Sequence, residues 1–411
     1  MRLQSIQAAE KKLVLNTYER YPILFTSGHG VFLTDENGVD YLDLLSGIGV
    51  SALGYGHPTI ERAIAEQSKK LLHTSNLFFT EHTADLALRL TEISGLDRVF
   101  FCNSGTEAWE AALKIARAHS DKSGTGKKFL ALEHSFHGRT IGSVATTHKL
   151  AYRTPFAPVM PDVEFVKFND VEDLRAKFNN EVCGILIEAI QGEGGIHPVT
   201  QEFFAAAREL ADSTGALLIA DEIQCGFGRT GKWFGYQHFG ILPDVVTLAK
   251  PLAGGLPIGA MLCTERVSQS ITPGMHGTTF GGGPLATGVA IAVIDEIKHS
   301  NLLAHIEEVG AYFKSALQAL AKKHPQIVEV RGKGLMIGAE LDSPDLAKSV
   351  ASEMLARHII INRTSEVVLR FLPPYILEKS HVDQAIAALD AILTQHAEQS
   401  QPIASGEHAN G

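Results

Sequence analysis

Between about Leu77 and Ile271, short apolar runs alternate with longer segments whose apolar residues recur at helical spacing. This pattern predicts strands joined by crossover helices in a parallel α/β sheet. The predicted strands are Arg98 to Cys102, Lys128 to Leu132, Glu164 to Phe168, Gly184 to Glu188, Ala216 to Ala220, Val245 to Leu248 and Ala260 to Cys263. Nearly all stop at a polar or glycine cluster. Ligands bind such sheets beyond the carboxyl ends of the strands, so residues just after these runs are expected to converge. Upstream, Val31 to Leu44 reads as a hairpin around an Asn37-Gly38 turn. Downstream of about Leu302 the pattern gives a long helix, then strands at Ile327 to Val330, Leu335 to Leu341, Ile359 to Asn362 and Val367 to Phe371. A last helix, from His381 to about Ala397, completes a smaller α+β lobe. The expected division is an N-terminal segment, 1–57, that contributes to the small lobe, a large domain, 58–310, and a C-terminal small domain, 311–397. The polar stretch 398–411 has no periodic apolar face and is expected to be disordered.

Length and composition narrow the class. A chain of 411 residues with 45% hydrophobic content can bury a large core and exceeds the usual single-domain size. The net charge of -10 is spread without clustered Lys and Arg, which argues against a nucleic-acid partner. No apolar stretch approaches the roughly 20 residues of a membrane span, and Met1 to Leu15 lacks the apolar core of a secretory signal. Four separated cysteines with no Cys-x-x-Cys pair fit a reducing cytoplasm. His134 and His137 are the close histidine pair of the central region, but nothing at a usual spacing completes a metal site, so no metal is expected.

The candidate chemistry centres on two polar residues that each close an apolar run, Asp221 in Leu-Ile-Ala-Asp221-Glu and Lys250 in Thr-Leu-Ala-Lys250-Pro. An aldehyde cofactor such as pyridoxal 5'-phosphate needs an amine to hold it as a Schiff base. Its ring nitrogen needs a carboxylate that keeps it protonated. Asn103-Ser104-Gly105-Thr106 follows a strand and opens an amphipathic helix, so its free amides, dipole and hydroxyls suit a phosphate. Phe136 and Arg139, in Ser135-Phe136-His137-Gly138-Arg139, reach the same edge; a ring there can cover a flat cofactor and a guanidinium can fork onto a carboxylate. Glu193 and Arg370 read singly as surface charges and gain meaning only as a pair. Two phosphate motifs fail. Gly226-Phe-Gly228-Arg-Thr-Gly231 has the spacing of a dinucleotide fingerprint but no helix follows, and Gly124-Thr-Gly126-Lys127-Lys128 lacks the first glycine and the closing Ser or Thr of a P-loop.

In combination these motifs resemble the class III aminotransferases of the fold-type I pyridoxal-phosphate enzymes, and within them the branch acting on acetylornithine, over about residues 14 to 390. Besides those quoted, the resemblance rests on Asn16-Thr-Tyr18, Gly47-Ile48-Gly, Asp221-Glu-Ile-Gln224-x-Gly-x-Gly-Arg-Thr-Gly, Leu248-Ala-Lys250, His276-Gly-Thr-Thr279-Phe-Gly-Gly and Arg370-Phe. It implies a large domain with a mainly parallel seven-stranded sheet and a smaller α+β domain. By the resemblance, Lys250 binds the cofactor aldehyde and shuttles the proton, Asp221 meets the ring nitrogen, and Gln224 contacts the phenolic oxygen. Phe136 stacks on the ring, and His137 belongs to the cofactor pocket. Ser104, Gly105 and Thr106 hold the phosphate with Thr279 from a second subunit, so a homodimer with shared sites is implied. Arg139 takes the carboxylate far from the reacting amine, Arg370 the one beside it, and Glu193 pairs with Arg370 when that carboxylate is missing.

The implied reaction moves the terminal amine of N2-acetylornithine to 2-oxoglutarate, giving N-acetylglutamate 5-semialdehyde and glutamate, in arginine biosynthesis. Ile48 stands where ornithine-specific members carry tyrosine and suits an acyl chain; Tyr18 matches a tyrosine near the substrate. Succinylornithine, N-succinyldiaminopimelate, ornithine and 4-aminobutyrate remain rival substrates, and an aminomutase or a non-catalytic cofactor binder are rival classes. The chain departs from the family at Trp109, usually asparagine, at Ala189, usually proline, at Gly283, usually asparagine, and in having Pro251 after Lys250.

Overall fold

The computed structural model describes residues 2–160 and 162–399. Its central sheet has seven strands, in the spatial order Arg98–Cys102, Gly259–Cys263, Val245–Leu248, Leu217–Asp221, Val182–Glu188, Lys128–Leu132 and Val163–Val166. Every neighbouring pair is parallel except those of Gly259–Cys263, which is antiparallel to the strand on each side. The connection explains the reversal. Only residues 249–258 separate this strand from its predecessor, whereas a parallel return needs a crossover of about a dozen residues or more. Strand ends fall within about two residues of the predicted ones, with Asp221 itself the last residue of its strand.

The sheet strands are buried along their whole length in Val182–Glu188 and Leu217–Asp221, as strands covered on both faces must be. One cover is the helix Gly105–Ser123, whose inner face carries Ala108, Ala111, Ala112 and Ala116; these small side chains let the helix lie close to the strands. Ser104 caps it, accepting from the Glu107 N–H at 3.3 Å, and Gly124 ends it in the left-handed conformation that lacks a penalty only for glycine.

The predicted hairpin forms as Phe32–Asp35 and Asp40–Asp43. Asp35 accepts from the Asn37 and Val39 amides at 2.8 and 2.9 Å and so builds the turn. An unpredicted strand, Phe25–His29, pairs with it; its Phe-Thr-Ser-Gly-His sequence has no apolar alternation to announce it. Asp40–Asp43 also pairs in parallel with Ile359–Ile360, which ties the two ends of the chain together. The single strand expected over Ile359 to Asn362 is in fact split: Asn362–Thr364 turns into another sheet with Val368–Phe371, Met336–Leu341 and Ile327–Lys333. The long helix Leu302–Lys323 runs through the expected division at 310. The last helix is Lys379–Gln399, so residues 398 and 399 are helical and not part of a disordered tail; 400–411 lie outside the described residues. Among the described residues no helix is long and apolar enough to cross a membrane.

Candidate active site

Strand register sets the site. Asp221 lies opposite Glu188 on one side and Thr247 on the other, so two buried carboxylates stand abreast at the carboxyl edge of the sheet. Asp221 Oδ2 is 2.7 Å from His137 Nδ1, and Oδ1 accepts from the Ile223 N–H at 3.0 Å and the Thr247 hydroxyl at 3.4 Å. Glu188 accepts from the Phe136 N–H at 2.9 Å and the Gly192 N–H at 3.0 Å, bracing two walls of the site against each other. Burial pushes its carboxyl up, His137 draws it down, and Asp221 pushes it up again. In the sequence Glu188 was legible only as the end of a strand.

Lys250 lies two residues beyond Val245–Leu248 and lines a pocket of ≈ 180 Å³ with Gly105, Thr106, Phe136, His137, Asp221, Gln224 and Glu193 among its walls. Burial lowers its amine below the usual range; Glu193 opposes this and Arg370 adds to it. At the other end of the pocket the helix Gly105–Ser123 points its first amides inward. Its start touches the turn after Asp221 so closely that a Cβ on Gly105 would come within 2.8 Å of Ile223 Cγ2. The Thr106 hydroxyl is 2.7 Å from Ser143 Oγ and 2.9 Å from Thr140 Oγ1. The pocket therefore offers an amine, a buried carboxylate and helix amides at the far end. Those are the groups pyridoxal phosphate requires.

Arg370 is no surface charge. It is 1% exposed, and its NH1 donates to Glu193 Oε1 at 2.5 Å, Gln224 Oε1 at 3.2 Å and the Gly192 carbonyl at 3.3 Å, while Nε donates to Asn362 Oδ1 at 3.0 Å. Burial would raise the Glu193 carboxyl, but Arg370 and Lys250 outweigh it and hold the group below its usual range. Gln224, expected at the phenolic oxygen, here serves this pair, also donating to Glu193 Oε1 at 3.3 Å. Arg139 is exposed and among the described residues forms no ion pair; its guanidinium lies 3.7 Å from the centre of the Tyr152 ring and 5.7 Å from that of Phe136. Tyr152 escaped the sequence reading because it sits in a four-residue helical turn, Leu150–Arg153, with no periodic pattern.

Other expected residues lie off the pocket wall. The Ser104 hydroxyl is used as the helix cap. Ile48 occupies a left-handed turn and is partly exposed, Tyr18 is exposed, and Thr279 lines a separate surface recess with His73, Asn76 and Phe78. The two histidines of the central pair diverge, His134 facing His148 and His137 facing Asp221. The segment Gly226 to Gly231 does structural work: Gly228 and Gly231 take positive φ, and Arg229 is buried against backbone carbonyls.

The profile of the family described as aminotransferase class-III matches residues 14–393. The acetylornithine aminotransferases of Methanocaldococcus jannaschii and Bordetella bronchiseptica are 44% and 46% identical to the chain. Each covers 94% of it, and the matches span 97% and 98% of those relatives. An ornithine aminotransferase structure from Toxoplasma gondii ME49 superposes with a TM-score of 0.92 at 31% identity, covering 97% of this chain and 96% of that one. The acetylornithine aminotransferase of Elizabethkingia anophelis gives 0.84 at 29% identity, covering 96% and 99%. With the match running through the sheets and the whole pocket, the chain belongs to the class III aminotransferases, enzymes that work with pyridoxal 5'-phosphate.

Proposed function

We propose that this aminotransferase moves the terminal amino group of N2-acetyl-L-ornithine to 2-oxoglutarate, yielding N-acetyl-L-glutamate 5-semialdehyde and L-glutamate, a step of arginine biosynthesis. The observation that carries the reading is an unequal ion pair. Arg370 is 1% exposed, whereas the Glu193 side chain is 34% exposed. An arginine so deep must stay neutralised, because stripping a buried charge of its partner costs about 3–5 kcal/mol. Its partner, at the pocket surface, is free to leave. Glu193 therefore neutralises Arg370 while a substrate with no carboxylate beside its reacting amine is bound, and the α-carboxylate of glutamate or 2-oxoglutarate takes its place in the other half-reaction. Arg139, which has no carboxylate partner among the described residues, receives the far carboxylate in both. Curated relatives called acetylornithine aminotransferases, at 43–46% identity, support the acylated substrate, as does the aliphatic Ile48 for an acyl chain.

Bound pyridoxal phosphate supplies an electrophilic carbon and a ring that withdraws electrons from the reacting substrate carbon. Lys250 Nζ would hold the cofactor and then move the proton at the reacting carbon; burial lowers its pKa, the direction that favours the neutral amine this proton transfer needs. Asp221 would keep the ring nitrogen protonated, Phe136 would cover the ring, and Gln224 would contact the phenolic oxygen. Ser104, Gly105 and Thr106 take the phosphate, joined by Thr279 of the partner subunit in a cytoplasmic homodimer. Exposed Leu77, Phe78, Phe79 and Phe280 near that recess suit burial against a second copy.

The test is initial rates with N-acetylornithine, succinylornithine, ornithine and 4-aminobutyrate, each against 2-oxoglutarate. N-acetylornithine is expected to have the highest kcat/KM. Ornithine is the second reading, favoured by the 31% identical structural relative, and its turnover as the best substrate would overturn the argument from Ile48.

A further inference from the structure

We propose that Trp109 is a positioning residue for the ring-nitrogen end of the cofactor site, holding the His137 imidazole in the plane from which it meets Asp221. In this chain the indole lies flat on the imidazole, with centroids 4.0 Å apart and planes 9° from parallel, and Trp109 is fully buried.

The indole ring and the backbone of His137 are both anchored from the same short segment. Trp109 Nε1 donates to Thr146 Oγ1 at 3.0 Å, Thr146 donates on to the Ser143 carbonyl at 2.9 Å, and the His137 backbone N–H donates to Thr147 Oγ1 at 3.0 Å. The imidazole itself has one polar contact. Its Nδ1 is 2.7 Å from Asp221 Oδ2, and its buried Nε2 has no hydrogen-bond partner among the described residues. One hydrogen bond does not fix the plane of a ring, since the ring can turn about its side-chain bonds while keeping that contact. The indole face removes the turn. A parallel aromatic stack adds attraction beyond area burial and so favours one orientation.

The placement in the fold gives the stack its consequence. Trp109 stands one turn after Gly105 on the helix whose first amides form the phosphate end of the pocket. That one helix thus sets both ends of the cofactor: the phosphate by its N-terminus, and the ring nitrogen through Trp109, His137 and Asp221 in turn. The inference rests on the cofactor site and not on the choice of amino-donor substrate.

The experiment titrates pyridoxal phosphate into the full chain freed of cofactor, and follows the visible band of the reconstituted protein against pH. Trp109→Leu is expected to weaken cofactor retention about tenfold and to shift the pH midpoint of the band. Trp109→Phe, which keeps a ring on the imidazole, is expected to leave both near wild type. In a His137→Asn background, Trp109→Leu is expected to add nothing, because its effect passes through His137. Should Trp109→Leu not fold, Trp109→Met is read in the same way. Retention and band unchanged in Trp109→Leu, equal impairment in Leu and Phe, or additive losses in the His137→Asn background would each overturn the proposal. Failure of the wild-type chain to take up any cofactor is a different result, and would strike at the site reading beneath it.

Discussion

Ile48 holds a backbone conformation that β-branched residues resist. Its φ and ψ are 65° and 47°, inside a run from Ser46 to Gly49 in which every φ is positive. Two of the four are glycines, which adopt the region freely, but Ile48 carries a strain of about 1–3 kcal/mol there. At 39% exposure it recovers little of this by burial. Strain kept at a half-exposed position points to selection for the side chain, which fits its proposed place against the acyl group. Ile48→Asn, tolerant of the left-handed region, is expected to raise unfolding free energy by about 1 kcal/mol while narrowing the preference for acylated over free ornithine. A variant less stable than wild type in urea would show that the turn is not strained. Tyr152 acts by a different force. With Arg139 3.7 Å from its ring centre, it holds a cation that has no carboxylate of its own. Tyr152→Leu should raise KM for substrates with a far carboxylate by about 2- to 30-fold, the range of a cation–π contact. Tyr152→Phe and a simple monoamine substrate should show no such change. Lys250 and Asp221 were legible in sequence because each is a polar residue closing an apolar run; Tyr152 follows no run, and only the fold brings it to Arg139.

Elements position the site through close approach. The helix Gly105–Ser123 starts against the turn after Asp221, where a Cβ at position 105 would sit 2.8 Å from Ile223 Cγ2 and 3.0 Å from its Cδ1. Gly105→Ala must therefore displace Ile223 or the helix start, and either shift disturbs the spacing between the phosphate and ring-nitrogen ends. Cofactor retention is expected to fall about tenfold, since a displacement near 1 Å costs about that or more. Gly105→Ala with Ile223→Ala, which clears the methyl groups, should restore it; a double variant as weak as the single one would mean that the glycine acts through backbone freedom instead. This helix and the strands around it were legible in the sequence because periodicity is a local signal, whereas Ser104 read as a phosphate ligand and its hydroxyl is the helix cap. Strand order was not legible there. The pairing of Asp221 with Glu188 needs to know which strands are neighbours, and the reversal of Gly259–Cys263 follows from a short connection whose meaning depends on where the strand returns.

Across the whole molecule, the turn segment Gly226 to His238 joins the central sheet to both ends of the chain. His238 Nε2 lies 3.0 Å from Thr230 Oγ1, and burial, with Lys333 and Lys232 nearby, lowers its pKa from 6.5 to about 4. The unfolded chain takes up that proton near pH 6.5 and the folded one only near 4. Stability from this group is therefore present above 6.5 and lost as pH falls towards 4. His238→Gln should flatten the urea midpoint across that window, and an unchanged slope would assign the acid sensitivity elsewhere. Arg229 is the stronger link. Fully buried, it donates to the carbonyls of Pro373 and Leu335 and to Ser46 Oγ, and lies over the Tyr375 ring at 4.6 Å. Ser46 in turn donates to the Leu372 carbonyl at 2.6 Å, so the guanidinium fastens the turn bearing Ile48 to the strand end bearing Arg370. Arg229→Met leaves those acceptors without a donor and should cost about 3–5 kcal/mol of stability, at about 1–3 per stranded buried group. Arg229→Lys should recover little, since an ammonium cannot fork to acceptors on separate segments. Because both substrate-facing elements hang on this residue, KM for 2-oxoglutarate and for the acylated amine should rise together in any variant that folds. A Met variant with wild-type midpoint and unchanged KM values would show that the two lobes are registered by some other contact.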